Sequence, residues 1–268
     1  MKVLSPAKIN LMLRILGQRK DGYHFLQTYF QLLDWGDDME FELTDNNTIN
    51  ISGDFQNLRQ EDNLIFKAAK LLQPHKNINR GIRIHVNKRI PQGSGLGGGS
   101  SNAGTTLRVL NKLWECGLSQ IRLQKFAIQL GADVPIFVLN ESAMALGVGE
   151  KLTPYKISNY FYVLLFPNTS ITTADVFNDK NLIKNQIKIE TCKINNTIHW
   201  QNSCLPVVIK NYPEVAEMYN IASKMNKTYM SGTGSTLFCC FKTQSKADEF
   251  INACPEHWLT ISTKSKIN

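Results

Sequence analysis

The sequence predicts a mixed fold of β-strands and α-helices, with enough chain for one large domain or two modest ones. Two observations predict it. Over short runs, apolar residues alternate or cluster as in half-buried strands, and elsewhere they recur at the three-to-four-residue spacing of a helix. The 268 residues are 43% hydrophobic and 19% charged, which is the composition of an ordinary globular protein with a real core.

The first half of the chain is dense in such signals. Strands are predicted over Ala7–Leu16, Met39–Leu43, Thr48–Ile51 and Gly81–Val86. Helical spacing covers Asn63–Leu72, Ala103–Trp114 and Ser119–Leu130. Ser119 is a good N-cap residue for the last of these helices, and Gly131 is placed as its C-terminal stop. The polar segment Gly17–His24, with two glycines, is predicted to be a loop.

The second half is less regular. An apolar, β-rich run predicts a strand over Tyr160–Phe166, and helical spacing covers Tyr212–Met225. Tyr229–Phe241 joins a glycine turn to a second apolar run, whereas Asn178–Asn202 is polar and gives no clear elements. The change in pattern places a domain boundary near residue 150.

The net positive charge of the chain is compatible with two kinds of binding partner. The net charge is +8 and the pI about 9.1, which suits either nucleic acid or polyanionic small molecules such as nucleotides. Lys and Arg are scattered, with no basic run of about five or six residues. A basic surface around a phosphate site therefore fits better than a nucleic-acid partner.

The sequence disfavours several other classes of protein. The six cysteines contain no C-x-x-C pair, and the histidines have no metal-binding spacing, so no metal site is expected. No apolar stretch approaches the roughly eighteen residues of a membrane span, and the start MKVLSPAKIN has no signal-peptide pattern. A cytoplasmic protein without a membrane partner is the expectation.

The most informative segment is Pro91–Ala103, which reads PQGSGLGGGSSNA and has five glycines between Gly93 and Gly99. Glycine lets the backbone approach an anion closely and point successive N–H groups at it. The segment leads from a predicted strand into a predicted helix, whose N-terminal amides and dipole add to an anion site. Ser100 and Ser101 add hydroxyls that can reach phosphate or Mg²⁺.

Three familiar nucleotide-binding motifs do not explain this segment. The P-loop requires a Gly-Lys pair, which the chain lacks. Gly93, Gly95 and Gly98 formally satisfy the dinucleotide fingerprint, but a second helix follows where that fold requires a strand. A protein kinase would carry H-R-D and D-F-G downstream, and neither is present.

The segment instead resembles the superfamily of galactokinase, homoserine kinase, mevalonate kinase and phosphomevalonate kinase (GHMP kinases). Two further signatures, PAKIN at Pro6–Asn10 and MSGTGS at Met230–Ser235, occur in the same order as in that superfamily. The resemblance implies an α+β fold of two domains, with the active site in the cleft between them. Residues 1–150 are then the ATP-binding domain and 151–268 the substrate-binding domain.

Within the superfamily, four stretches resemble the diphosphocytidyl-methylerythritol kinase family. They are SPAKINLML at Ser5–Leu13, GQRKDGYHFLQT at Gly17–Thr28, IPQGSGLGGGSSNA at Ile90–Ala103 and GADVPIF at Gly131–Phe137. The resemblance implies ATP-dependent phosphorylation of the 2-hydroxyl of 4-diphosphocytidyl-2-C-methyl-D-erythritol in non-mevalonate isoprenoid synthesis. A sister kinase for mevalonate or homoserine is the first alternative, against which the D-G-Y-H element argues. A nucleotide-binding module without catalysis is the second.

The same resemblance assigns roles to individual residues. Asp133 is the general base. Lys8 lies in an otherwise apolar strand, where a lysine needs a counter-charge, so we predict that it is the electrostatic partner of Asp133. ATP is assigned to Pro91, Gln92, Gly93, Ser94, Gly95, Leu96, Gly97, Gly98, Gly99, Ser100, Ser101, Asn63, Leu64 and Lys88. The substrate is assigned to Asn10, Tyr23, His24 and Phe177, with the cytosine between aromatic rings. Mg²⁺ is expected to arrive with ATP, no protein ligand for it is assigned, and a monomer or homodimer is expected.

Each assignment has a structural alternative. Asp133 stands where a helix-capping residue would stand, and Asn63 stands at a helix start. Lys8 can be an edge lysine that reaches solvent, and Lys88 ends a strand. Phe177 can belong to a hydrophobic core. Tyr23 and His24 can be ordinary surface residues of a loop.

Overall fold

A computed structural model describes residues 1–55 and 58–267 of the chain. In chain order its strands are β1 (Lys2–Gln18), β2 (His24–Thr44), β3 (Ile49–Gly53), β4 (Gly81–Asn87), β5 (Ala143–Gly147), β6 (Lys151–Pro154), β7 (Phe161–Phe166), β8 (Thr228–Met230), β9 (Leu237–Phe241) and β10 (Leu259–Lys264). Its α-helices are α1 (Leu64–Leu72), α2 (Gly98–Leu113), α3 (Gln120–Leu130), α4 (Val134–Leu139), α5 (Thr173–Asn178), α6 (Leu205–Asn211), α7 (Pro213–Met225) and α8 (Gln244–Ala253). The predicted α+β class is confirmed.

The chain forms two compact units that draw on interleaved segments. The first unit consists of Met1–Ala7, Trp35–Pro91 and Gly97–Glu141. The second consists of Lys8–Asp34, Gln92–Leu96 and Ser142–Asn268. β1 and β2, which pair with each other, contribute residues to both units. The functional division near residue 150 stays a prediction.

The first unit is a β-layer with helices packed on it. β3 runs parallel to β4, and β4 runs antiparallel to the Asp38–Thr44 half of β2. Residues of β4 alternate between buried and exposed, as the sequence predicts for Gly81–Val86. A continuous apolar core joins this layer to α1, α2, α3 and α4, and the fully buried Trp114 belongs to it.

Local helix signals are confirmed in this unit. Ser119 is the N-cap residue of α3, and its hydroxyl accepts a hydrogen bond from the Arg122 amide at 3.4 Å. Gly131 closes the same helix, with its amide donating to Ala127 O. The helix predicted over Asn63–Leu72 is α1, with Asn63 as its N-cap residue.

The second unit has its own sheet and core. β7 pairs antiparallel with β10 and with β9, and β9 pairs antiparallel with β8. Near the start of β2, residues Leu26–Phe30 pair with β5, which forms a hairpin with β6. α6, α7 and α8 contribute to an apolar core that includes Val163, Val208 and Leu237. The predicted strand, helix and glycine turn of the second half are confirmed as β7, α7 and the β8–β9 connection.

Within residues 1–55 and 58–267, none of the helices combines the length and the apolar character that crossing a bilayer requires.

Candidate active site

In the first unit, the glycine-rich segment ends at the N-terminus of α2. Gly97 has the left-handed backbone angles φ 75° and ψ 27° and stands at the N-cap position, where it offers no side chain to the helix. The first amides of a helix lack backbone partners inside the helix, and the helix dipole places partial positive charge beside them. A helix start of this kind can bind an anion.

Two residues predicted to bind ATP lie beside the start of α2. A Cβ atom on Gly98 would lie 3.4 Å from Lys88 Nζ, and one on Gly99 would lie 3.8 Å from Leu64 Cδ1. These distances bring Lys88 and Leu64 to the first turn of α2, within the same unit. The Lys88 ammonium also forms an ion pair with the buried Asp37.

Two other residues predicted to bind ATP serve the fold. Asn63 Oδ1 caps α1 by accepting from the Ile65 amide at 2.9 Å. The Ser101 hydroxyl donates to Pro6 O at 2.6 Å, and its amide donates to Gly97 O at 2.8 Å. Both residues are almost completely buried, so the geometry offers no support for direct phosphate contact by Ser101.

In the second unit, the other part of the glycine-rich segment packs against the late glycine turn. Gly95 has φ 76°, and a Cβ atom there would lie only 2.6 Å from Ser231 O and 2.7 Å from Gly234 O. Only glycine fits, because any side chain would be strained and would collide with two backbone oxygens. The structure therefore brings two of the three superfamily signatures into direct contact.

Lys8 joins the third signature to this contact. Its ammonium donates to Asn10 Oδ1 at 2.6 Å and to Gly95 O at 2.9 Å, and lies 5.4 Å from the centre of the Phe30 ring. The residue is only 3% exposed. Lys8 is thus a buried cation held against the glycine-rich segment, and the edge lysine that reaches solvent is not what the structure contains.

Asn10 makes hydrogen bonds with three other residues. Besides accepting from Lys8, its side-chain amide donates to Thr28 Oγ1 at 2.8 Å, and its backbone amide donates to Ser231 Oγ at 3.2 Å. Ser231 Oγ in turn donates to Gly95 O at 3.0 Å. Lys8 and Asn10 therefore lie on the same face of β1.

Asp133 lies in the first unit, at the N-cap position of α4. Its backbone is helical, with φ −88° and ψ −10°, and Pro135 follows in the first turn. Both Asp133 and α4 lie within the described chain, and the side chain makes no hydrogen bond that caps the helix. Helix capping therefore does not account for this carboxylate.

The aromatic residues predicted to receive cytosine differ in exposure. His24, the first residue of β2, stacks on Phe177 of α5, with ring centroids 5.2 Å apart and planes inclined by 24°. Tyr23, in the loop before β2, is 64% exposed. Burial and then the nearby Lys184 charge lower the pKa of His24, so the ring favours its neutral form. Within the described residues, His24 Nε2 is buried without a hydrogen-bond partner.

Comparison with known proteins gives two family matches and a set of similar chains. Residues 63–141 match the model of the GHMP kinases N-terminal domain, and residues 187–259 match that of the GHMP kinases C-terminal domain. A protein from Pseudomonas fluorescens (strain SBW25) named 4-diphosphocytidyl-2-C-methyl-D-erythritol kinase is 46% identical over 247 residues, covering 91% of this chain and 86% of the relative. One of the same name from Marinomonas sp. (strain MWYL1) is 44% identical over 261 residues, covering 96% and 85%.

This chain belongs to the 4-diphosphocytidyl-2-C-methyl-D-erythritol kinase family of GHMP kinases. It is a small-molecule kinase, and like other GHMP kinases it uses ATP.

Solved structures agree with membership of this kinase family. The crystal structure of a 4-(cytidine 5'-diphospho)-2C-methyl-D-erythritol kinase superposes with a TM-score of 0.85 at 29% identity, with all of both chains covered. The mevalonate kinase of Methanococcus jannaschii gives a TM-score of 0.73 at 14% identity, covering 100% of this chain and 98% of that one. The second likeness shows the GHMP fold alone.

Sequence reasoning missed a buried polar cluster in the first unit of the kinase. Asp37, fully buried in β2, accepts from the Arg89 amide at 2.7 Å and from the Ile90 amide at 2.8 Å. It also forms an ion pair with Lys88 and accepts from Asn102 Nδ2 at 2.9 Å. Asp37 therefore holds the residues just before the glycine-rich segment and a residue in α2 just after it.

One signal could have revealed Asp37. It shares strand parity with the buried Met39 and Phe41, so alternation places its carboxylate on the apolar face. An acidic side chain on such a face needs partners, and buried charges without them are rare. The hydrogen bonds that Thr28 and Ser231 make with Asn10 were not predicted and carry no comparable signal, because a buried hydroxyl needs only one or two hydrogen bonds.

We expect Asp37→Asn to destabilise the first unit and weaken ATP binding. Removing one partner of a buried ion pair costs about 3–5 kcal/mol, and the loss should fall near the lower figure because the Lys88 side chain is 23% exposed. Denaturant unfolding and the KM for ATP measure the two effects. Asp38→Asn is the matched control, since Asp38 pairs with Arg89 in an exposed ion pair and should change the free energy of unfolding by less than about 0.5 kcal/mol. Equal effects of the two variants would contradict the role given to Asp37.

Proposed function

We propose that this kinase transfers the γ-phosphoryl group of ATP to the 2-hydroxyl of 4-diphosphocytidyl-2-C-methyl-D-erythritol, with Asp133 as general base and Lys8 as its electrostatic partner. The observation that carries the proposal is the buried Lys8 ammonium bonded to Gly95 O of the glycine-rich segment. A buried cation fixed to a phosphate-binding segment can offset the charge that develops during phosphoryl transfer.

In the proposed reaction, the substrate hydroxyl oxygen forms a bond to the γ-phosphorus of ATP. The bond between that phosphorus and the oxygen bridging to the β-phosphate breaks, and ADP leaves with the electron pair. The hydroxyl proton passes to the Asp133 carboxylate, which is not used as a helix cap. Mg²⁺ enters as part of Mg-ATP, whose phosphate oxygens are the ligands this ion prefers.

The phosphates of ATP are assigned to the glycine-rich segment. Gly97 leaves the first turn of α2 without a side-chain cap, and Lys88 lies beside Gly98 at that turn. Positioning and charge neutralisation supply most of the rate enhancement in phosphoryl transfer, so little further protein chemistry is needed.

Recognition of the cytosine is assigned to the aromatic residues around the start of β2. Tyr23 has an exposed ring that can stack on a base, a contact worth about 1–3 kcal/mol. The neutral His24 ring rests on Phe177, and its Nε2 still has hydrogen-bonding capacity among the described residues. A base edge is a suitable partner for such a nitrogen, which favours a nucleotide-linked alcohol over mevalonate or homoserine.

The proposal is tested by a coupled ADP-release assay with Mg-ATP and each of the three candidate alcohols. We expect ADP formation with 4-diphosphocytidyl-2-C-methyl-D-erythritol alone, together with a new phosphomonoester signal in the ³¹P NMR spectrum. Turnover of mevalonate or homoserine in its place would retain the kinase and overturn the assignment of Tyr23 and His24. Binding of ATP without turnover of any alcohol would favour a nucleotide-binding module.

A further inference from the structure

Three buried polar side chains in the second unit form one hydrogen-bonded chain. Thr28 Oγ1 accepts from Asn10 Nδ2 at 2.8 Å, and Asn10 Oδ1 accepts from Lys8 Nζ at 2.6 Å. The three residues are between 1% and 3% exposed. Bulk water therefore has no access to replace a lost partner, and each member depends on the next.

The Thr28 hydroxyl has one hydrogen, and that hydrogen is already used in a hydrogen bond. Thr28 Oγ1 donates to Met12 O at 2.6 Å. With its hydrogen engaged, the oxygen can only accept, so the group facing it must be a donor. The amide nitrogen of Asn10 is that donor, which places the amide oxygen on the opposite side.

The orientation of the Asn10 amide decides what Lys8 meets. An ammonium group has three donors and no acceptor, so it needs oxygen in front of it. A flipped Asn10 amide would set its NH₂ group against the Lys8 ammonium and lose the short contact between them. Charge-assisted hydrogen bonds of this kind are stronger than neutral ones, so the flip is costly.

We propose that Thr28 is a positioning residue for phosphoryl transfer: it fixes the Asn10 amide, and through it aims the Lys8 ammonium. The inference rests on the proposed function, because it assumes that Lys8 acts on the reacting phosphoryl group. Thr28 itself contacts only Asn10 and Met12 in this chain of bonds. Its effect should therefore appear in kcat and not in the KM for ATP.

The test compares Thr28→Val, which keeps the shape and removes the hydroxyl, with Thr28→Ser, which keeps the hydroxyl. We expect Thr28→Val to lower kcat about tenfold, because a released Asn10 amide no longer holds its charge-assisted bond to Lys8, with KM for ATP changed by less than about twofold. Thr28→Ser should restore kcat to within about twofold of wild type. A tenfold lower kcat in both variants, or an unchanged kcat in both, would overturn the proposal.

A double-mutant cycle with Asn10→Ala separates a positioning role from a general structural one. If Thr28 acts through Asn10, adding Thr28→Val to Asn10→Ala should lower kcat no further. Two losses that multiply would mean that Thr28 acts by another route, which overturns the proposal. Should Thr28→Val fail to fold, Thr28→Ala also lacks the hydroxyl and allows the same cycle.

Lys8→Met distinguishes failure of this inference from failure of the proposed function. If Lys8→Met retains full turnover, the role proposed for Lys8 is wrong, and the positioning role of Thr28 falls with it. If Lys8→Met loses turnover while a folded Thr28→Val retains it, the proposed function stands and only the inference about Thr28 is overturned.

Discussion

Asp133→Asn should lower kcat about 10²–10⁴-fold, the usual contribution of a general base. Asparagine has nearly the same shape as aspartate but cannot take a proton from the substrate hydroxyl. The residue lies in the helical region at the N-cap position of α4, and asparagine is well tolerated at that position. The loss should therefore come from the chemical step and not from a change in fold.

Single-turnover ADP formation measures the chemical step for Asp133→Asn, and calorimetric titration with an ATP analogue measures binding. Asp248→Asn is a suitable control, because Asp248 is an exposed carboxylate in α8 that accepts a hydrogen bond from Gln244. The control should keep wild-type kcat. If Asp133→Asn also keeps kcat within about threefold of wild type, Asp133 is not the base.

The elements that could be predicted from sequence are those specified by neighbouring residues. β4 follows from strict alternation, and α3 follows from its spacing together with the Ser119 cap and the Gly131 stop. In each case the physical cause lies within a few positions along the chain, where a single sequence displays it.

The length of β2 could not be predicted in that way. The sequence predicts a short strand over Met39–Leu43, yet β2 runs from His24 to Thr44. Gly36 interrupts the strand pattern but lies inside β2, where a Cβ atom would fall 2.0 Å from Ser5 O. Glycine is needed there because another strand approaches closely, and that contact joins residues 31 positions apart.

The structure of the polar segment Asn178–Asn202 also could not be predicted from neighbouring residues. It forms short 3-10 turns over Thr191–Asn195 and Thr197–His199 rather than longer regular elements. Part of it is held by Gln27, whose side chain donates to Ile189 O at 2.7 Å and accepts from the Ile189 amide at 2.9 Å. Such partners lie 162 positions apart, so local composition predicts polarity but not placement.

In the candidate site, too, features specified by neighbouring residues could be predicted, and contacts between distant residues could not. Its motifs could be predicted because glycine, lysine and acidic residues stand in short specific patterns. Their partners could not: Asn10 is joined to Ser231 across 221 positions and to Thr28 across 18. Hydroxyls and amides serve so many structural purposes that only the folded arrangement reveals which of them support Lys8.

Lys8→Met should lower kcat about 10²–10³-fold, the cost of removing one preorganised donor from a developing charge. Methionine is unbranched and apolar, so it can occupy this buried strand position without placing a charge there. The glycine-rich segment should keep its place, because Ser231 Oγ still donates to Gly95 O at 3.0 Å after the ammonium is gone. The expected result is a folded protein that binds ATP and transfers phosphate slowly.

Initial-rate kinetics over a range of both substrates, with thermal unfolding on the same samples, provide the measurement for Lys8→Met. Lys2→Met is the matched control, since Lys2 lies on the same strand and its 82% exposed side chain pairs with Glu40 at the surface. We expect the control to retain wild-type kcat, because an exposed ion pair contributes little. A Lys8 variant that unfolds at the wild-type temperature and keeps wild-type kcat would show that the buried ammonium serves the fold alone. A loss of kcat at unchanged KM for ATP would place its effect in the transition state, where a cation fixed to the glycine-rich segment should act.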